Sequence, residues 1–99
     1  MAESNRERAE RVLETMYLKR VASKKRNKTE DVLRYLVEKK DGVTSYEAFE
    51  KFDSVRLGSI IHEIETTHRI VLHKEDEYHN GTKYRRYTLE EADYGRDMA

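Results

Sequence analysis

The chain contains no cysteine, which excludes a disulfide framework and any thiolate metal site. It also lacks an apolar run near the roughly 18 residues that a membrane-spanning helix requires. The start, "MAESNRERAER", has no apolar segment of the secretory kind. A cytoplasmic protein is expected. Catalytic signatures are missing as well: the sequence shows no nucleophile elbow, no phosphate loop and no carboxylate pair in an apolar setting. The four histidines, His62, His68, His73 and His79, form no compact i,i+4 pair. A non-enzyme without metal or cofactor is expected.

Net charge is zero, with 20 basic and 20 acidic side chains, but the charges are unevenly placed. Residues 1–28 hold nine Lys and Arg against four acids, residues 29–53 four against seven, and residues 90–99 one against four. Binding to nucleic acid follows local fields, so a neutral total does not exclude it. At 99 residues with 40% charged and 36% hydrophobic content, the chain has room for one modest core. Clear apolar periodicity argues for a folded chain rather than a disordered one.

Ala9, Val12, Leu13, Met16, Tyr17 and Val21 recur at spacings of three and four, which predicts a helix over 4–22. "SKKRNK", residues 23–28, interrupts that pattern. A second helix starts near Thr29 as N-cap, with Glu30 and Asp31 in its first turn, and buries Val32, Leu33, Leu36 and Val37. "DG" at 41–42 ends it. "TSYE" at 44–47 is a capping box for a short helix over 45–52 that buries Ala48, Phe49 and Phe52. Asp53 or Ser54 then caps a further helix whose inward stripe is Leu57, Ile60 or Ile61, and Ile64. Two short helices joined so tightly must cross steeply, as in a helix-turn-helix. The period then changes to two around Ile70 and Leu72 and around Tyr87 and Leu89, with Asn80-Gly81 as a two-residue hairpin turn.

The expected fold is therefore α+β and mainly helical: a winged helix-turn-helix, with a three-helix core, a β-hairpin wing and an extra N-terminal helix. The expected division is an amphipathic helix and basic linker at 1–28, the winged domain at 29–89 and a flexible acidic tail at 90–99. The runs "VLRYLVEKKDGVTSYEAFEKF", "VRLGSIIHEIE" and "NGTKYRRYTL" resemble the small winged helix-turn-helix proteins of tailed bacteriophages and prophages. The resemblance covers roughly 60 residues, from Thr29 to Leu89. It implies binding to double-stranded DNA, as a transcriptional regulator or an excisionase-like accessory factor. Carried over by position, Ser54, Arg56, Ser59 and His62 would face the major groove. Asn80, Thr82 and Lys83 would approach the neighbouring backbone.

The residues themselves supply chemistry for such a role. Arg56 can contact guanine bidentately, and Ser59 or His62 can contact a base or phosphate. Gly58 costs about 1 kcal/mol of helix stability relative to alanine but permits close approach. "KRVASKKRNK" contains no acid, so Lys24, Lys25 and Arg26, with Lys19, Arg20 and Lys28, can neutralise phosphates without reading sequence; the plainer reading is a soluble linker. In the last strand, Tyr87 is expected in the core and Lys83 and Arg86 at the surface as contacts. The stripe Val12, Leu13, Met16 and Tyr17 either folds back on the domain or pairs with a second copy. A different class of function also fits: Glu63 and Glu65, the neutral total and the acidic end suit a phage-encoded, anti-CRISPR-like inhibitor. Such an inhibitor would bind a host protein or ribonucleoprotein.

Overall fold

The computed structural model describes residues 3–25, 27–52 and 56–91, apart from the side chains of Phe49 and Phe52. In chain order the elements are α1 (Asn5–Ser23), α2 (Lys28–Glu38), β1 (Val43–Thr44), α3 (Ser45–Phe52), α4 (Leu57–Thr66), β2 (Leu72–His79) and β3 (Thr82–Leu89). The architecture is α+β, with a three-stranded antiparallel sheet in the order β1-β3-β2.

Local chemistry sets most of the boundaries. Ser4 and Glu7 form a reciprocal capping box at the start of α1, with the Glu7 amide donating to Ser4 Oγ at 3.0 Å and the Ser4 amide to Glu7 Oε1 at 2.9 Å. Lys24 ends α1 in a left-handed conformation, φ 61°, its amide bonded to the Arg20 carbonyl at 2.6 Å. The cap of α2 is Asn27, which accepts from the Thr29 amide at 2.9 Å, and not Thr29 as expected. Thr29 is instead buried within the first turn. The expected capping box of α3 is present: Glu47 N donates to Thr44 Oγ1 at 3.1 Å and Thr44 N to Glu47 Oε1 at 3.0 Å. The caps expected for α4, Asp53 and Ser54, lie outside the described residues. Asn80 and Gly81 take φ of 53° and 80°, as a two-residue hairpin turn requires, and set the register His79↔Thr82.

Residues from every helix and strand enter one core. Val32, Leu33 and Leu36 of α2 lie between Ala9, Val12 and Met16 of α1 and Leu57, Ile61 and Ile64 of α4, with Val43, Ala48, Ile70, Leu72 and Leu89 closing it. Of the α4 alternatives, Ile61 is fully inward and Ile60 is half-buried against the core. The α1 stripe therefore folds back. Val12 and Met16, expected as dimer contacts, belong to the protomer's own core, and Leu13 packs partly buried against it; Tyr17 is the one of the four that stays exposed. Burying a Val or Met is worth about 1.5–3 kcal/mol, a large share of a small domain's net stability, so detaching α1 for another copy would be costly. Residues 1–28 thus share their core with 29–89.

Polar contacts fix α1 further. Asn5 is buried and bridges the open end of the sheet: Nδ2 donates to the carbonyls of Val71 at 2.8 Å and Glu90 at 2.7 Å, and Oδ1 accepts from the Val71 amide at 2.7 Å. Arg6 holds Glu91 with both oxygens near 3 Å and also donates to the Val37 carbonyl. Glu90 and Glu91 are consequently anchored and not part of a loose tail, while 92–99 lie outside the described residues. β1 was not anticipated. It pairs Val43 with Tyr87 and Thr44 with Arg86, and needs Gly42 at φ +68°, where a Cβ would stand 1.8 Å from the Tyr87 carbonyl oxygen.

Candidate nucleic-acid interface

α4 presents the outward face in question. At 100° per residue, Leu57, Ile61 and Ile64 point to the core, Ser59, His62 and Thr66 face away from it with Glu63 beside them, and Gly58 stands at the edge of that arc. Their exposure agrees with that. Of the two acids of the helix, Glu65 stands on a flank and Glu63 on the outward side. Glu65 is turned toward the sheet, 3.0 Å from Lys74 Nζ, and Glu63 toward the other side, 3.7 Å from His68 Nε2. The outward arc is therefore polar, with one carboxylate, Glu63, on its His68 side. Arg56, exposed, stands at the N-cap position and makes no side-chain cap, so its side chain is not used to close the helix. Gly58 has nothing within 4 Å of where a Cβ would sit, so the protein's own packing does not require glycine there. Ser54 and Arg26 lie outside the described residues.

The hairpin behaves differently from expectation. Arg86 is not a surface contact: it is half-buried and forms hydrogen-bonded ion pairs with Glu77 and with Glu47 Oε1 at 3.2 Å, and donates to the Asp41 carbonyl at 2.9 Å. These partners push its pKa up, the Glu77 hydrogen bond foremost, and the same bond lowers Glu77 to about 2. Lys83 and Arg85 both lie 3.6 Å from Asp76. Asn80, Thr82 and Lys83 are exposed at the hairpin end. Tyr87 is half-buried against the core, as expected. Tyr84 joins Tyr46 and His79 in an aromatic group with centroids 5.6–5.9 Å apart.

The basic run is also divided. Arg20 belongs to a buried ion cluster: Glu30, fully buried, accepts from Arg20 Nε at 2.9 Å and Arg34 Nη2 at 2.6 Å. Burial opposes the Glu30 charge, but the two arginines outweigh it and hold its pKa below the usual carboxylate range. Lys24 and Lys25 are exposed, and among the described residues no ion pair holds either. The neutralised hairpin had a readable signal. A two-residue turn at Asn80-Gly81 fixes the register, and that register sets Glu75 opposite Arg86 and Asp76 opposite Arg85. Asn5 and the buried Glu30 had none, because each looks in sequence like an ordinary polar residue of a first turn.

No family model, curated protein or solved structure matches the chain. Among the described residues, no helix is long and apolar enough to cross a membrane.

Proposed function

We propose that the chain is a non-enzymatic, cytoplasmic binding protein of the winged helix-turn-helix class, acting on double-stranded DNA. Its role would be that of a phage or prophage regulator or an excisionase-like accessory factor. The observation that carries this reading is the outward face of α4: Ser59, His62 and Thr66 are exposed at its centre, with Glu63 on one side and Gly58 on the other, and packing within the chain does not demand glycine at 58. The close succession of α3 and α4 in the chain and a β-hairpin packed against α3 support it. In this reading Lys24 and Lys25 anchor phosphates, while Arg56, Ser59 and His62 reach base edges.

The test pairs duplex binding with stability. Fluorescence anisotropy against random duplex should give an affinity that falls steeply as salt rises. Gly58→Ala should stabilise the protein by about 0.5–1 kcal/mol, through helix propensity alone, and yet weaken duplex binding by blocking close approach. A stabilised variant with unchanged affinity, or no duplex binding at low salt, would sink the reading.

A second reading has an observation of its own. Tyr78 is 70% exposed on the hairpin face where Lys83 and Arg85 are paired with Asp76, a surface better suited to protein than to phosphate. That is the anti-CRISPR-like inhibitor reading. Under it, Tyr78→Ala would abolish capture of a host protein or ribonucleoprotein, and duplex DNA would bind at most weakly.

A further inference from the structure

A cavity of about 530 Å³ opens where the end of α1, the turn into α2 and the far end of α4 meet. Its cations are Lys19, Arg20, Lys25 and Lys28; its one carboxylate is Glu63. Arg20 gives its Nε to Glu30, whereas no ion pair among the described residues holds Lys19 or Lys25. The positive charge gathers around a half-open hollow between three elements, with Lys19, Lys25 and Lys28 at its exposed rim. Asn27, Lys28 and Thr29 also line it, so the cavity meets the first turn of α2, where the helix dipole adds to the attraction for an anion.

Two further features point to an occupant. His68 lines the wall, and its Nε2 is buried with no hydrogen-bond partner; Glu63 Oε2, at 3.7 Å, is too far to serve. Met16 supplies an apolar surface within the same space. The volume lies within the roughly 300–1,000 Å³ common for small-ligand sites, so a bare phosphate would leave most of it unfilled. A phosphate monoester, with close to two negative charges at pH 7, matches a concave group of cations better than a diester passing along a groove.

We infer that this cavity binds a phosphate monoester of nucleotide size, taken as a free mononucleotide or as the phosphorylated 5′ end of a nucleic-acid strand. The cations hold the phosphate, and the side chains of His68 and Met16 border the space left for the nucleoside. None of these residues lies on the outward arc of α4; Lys25 is shared with the phosphate anchor proposed for duplex DNA, so AMP, which engages no duplex, is the probe that separates the two.

The experiment is a ¹H–¹⁵N NMR titration of the full chain with AMP and with inorganic phosphate. Two short single strands, identical except for a 5′-phosphate, complete the series. AMP should shift the amides of Asn27, Lys28 and Thr29 and the ring signals of His68. The double variant Lys19→Ala, Lys25→Ala, both at exposed positions, should weaken AMP by about tenfold or more, the worth of one charge-assisted hydrogen bond. A phosphorylated strand binding more tightly than its hydroxyl twin assigns the strand end as a source, and equal strands with AMP binding assign the free nucleotide. Three results would overturn the inference: those amides unmoved by AMP with no preference for the 5′-phosphate, AMP binding the double variant as well as the native chain, or inorganic phosphate binding as tightly as AMP. Losing duplex affinity through Gly58→Ala would leave the AMP result untouched, so the two ideas fail separately.

Discussion

The two basic clusters look alike in sequence and differ in the folded chain. "KRVASKKRNK" and "KYRRY" both read as phosphate contacts, yet the second is largely neutralised within the sheet. Lys83 and Arg85 face Asp76, and Arg86 is enclosed by Glu77, Glu47 and the Asp41 carbonyl. In the first cluster Arg20 is engaged by the buried Glu30, while Lys24 and Lys25 are exposed and held by no ion pair among the described residues. The cause is topological. A strand has a partner whose register can set an acid opposite every base, and a turn between helices has none. Local net charge therefore measures binding potential only after strand pairing has been taken into account.

The largest break in this contrast comes from Gly42. Its φ is +68°, and a methyl group at its Cα would overlap the Tyr87 carbonyl oxygen, which leaves alanine no place without moving β1. Left-handed strain alone costs about 1–2 kcal/mol for a residue with a Cβ, and the clash with backbone adds to it. Gly42→Ala should lower Tm by roughly 8 °C or more. Displacing β1 also withdraws Glu47 and the Asp41 carbonyl from Arg86, so the surviving folded protein would carry a less neutral hairpin. Gly81→Ala is the control: φ is +80° but the space around it is open, and the loss should be about 1 kcal/mol. Equal losses in thermal unfolding would show that β1 does not depend on that close approach.

Gly42 also marks the limit of what the residues announce. Helices α1, α2 and α4 follow from apolar residues at helical spacing, α3 from its capping box at Thr44 and Glu47, and the hairpin from Asn80-Gly81 between alternating runs. β1 is two residues long, too short for any period, and exists because Val43 and Thr44 meet Tyr87 and Arg86 from the distant end of the chain. Asn5 is similar: its partners are 66 and 85 positions away, so no local pattern reports them. Thr29 and Asn27 are both good caps, and packing against α1 decided between them by burying Thr29. In the candidate interface, the arc of Ser59 and His62 follows from the helical period. The flank position of Glu65 and the outward one of Glu63 follow too, once Leu57, Ile61 and Ile64 define the inward side. The enclosure of Arg86 was legible only through the register.

A middle-sized effect sharpens the comparison directly. Each phosphate contact contributes about 0.9 to the slope of log affinity against log salt. Lys24→Ala with Lys25→Ala should therefore flatten the slope for random duplex by about 1–2. Lys83→Ala with Arg85→Ala should change it by less than about half as much, because Asp76 already compensates those cations. Anisotropy across a salt series measures both. If the hairpin pair flattened the slope as much as the helix-linking pair, the neutralisation within the sheet would be irrelevant to binding.

The smallest effect concerns protons at Glu77. Its folded pKa is lowered from 4.5 to about 2, chiefly by the hydrogen bond from Arg86, with a further contribution from His79. A carboxylate whose pKa is depressed on folding stabilises the protein above its unfolded value, and that contribution is lost as pH falls through the folded one. The window is therefore between pH 4.5 and about 2. Glu30 loses stabilising charge on acidification in the same direction, since its pKa is also lowered. Unfolding temperature should fall through this window in the native chain, and fall less steeply in Glu77→Gln, which cannot titrate there. The pair is open to solvent, so water and salt screen it, and the difference between the two curves should shrink as salt is added. Parallel curves at low salt would mean that Arg86 is held by Glu47 and the Asp41 carbonyl, with Glu77 contributing little to the silent side of the comparison.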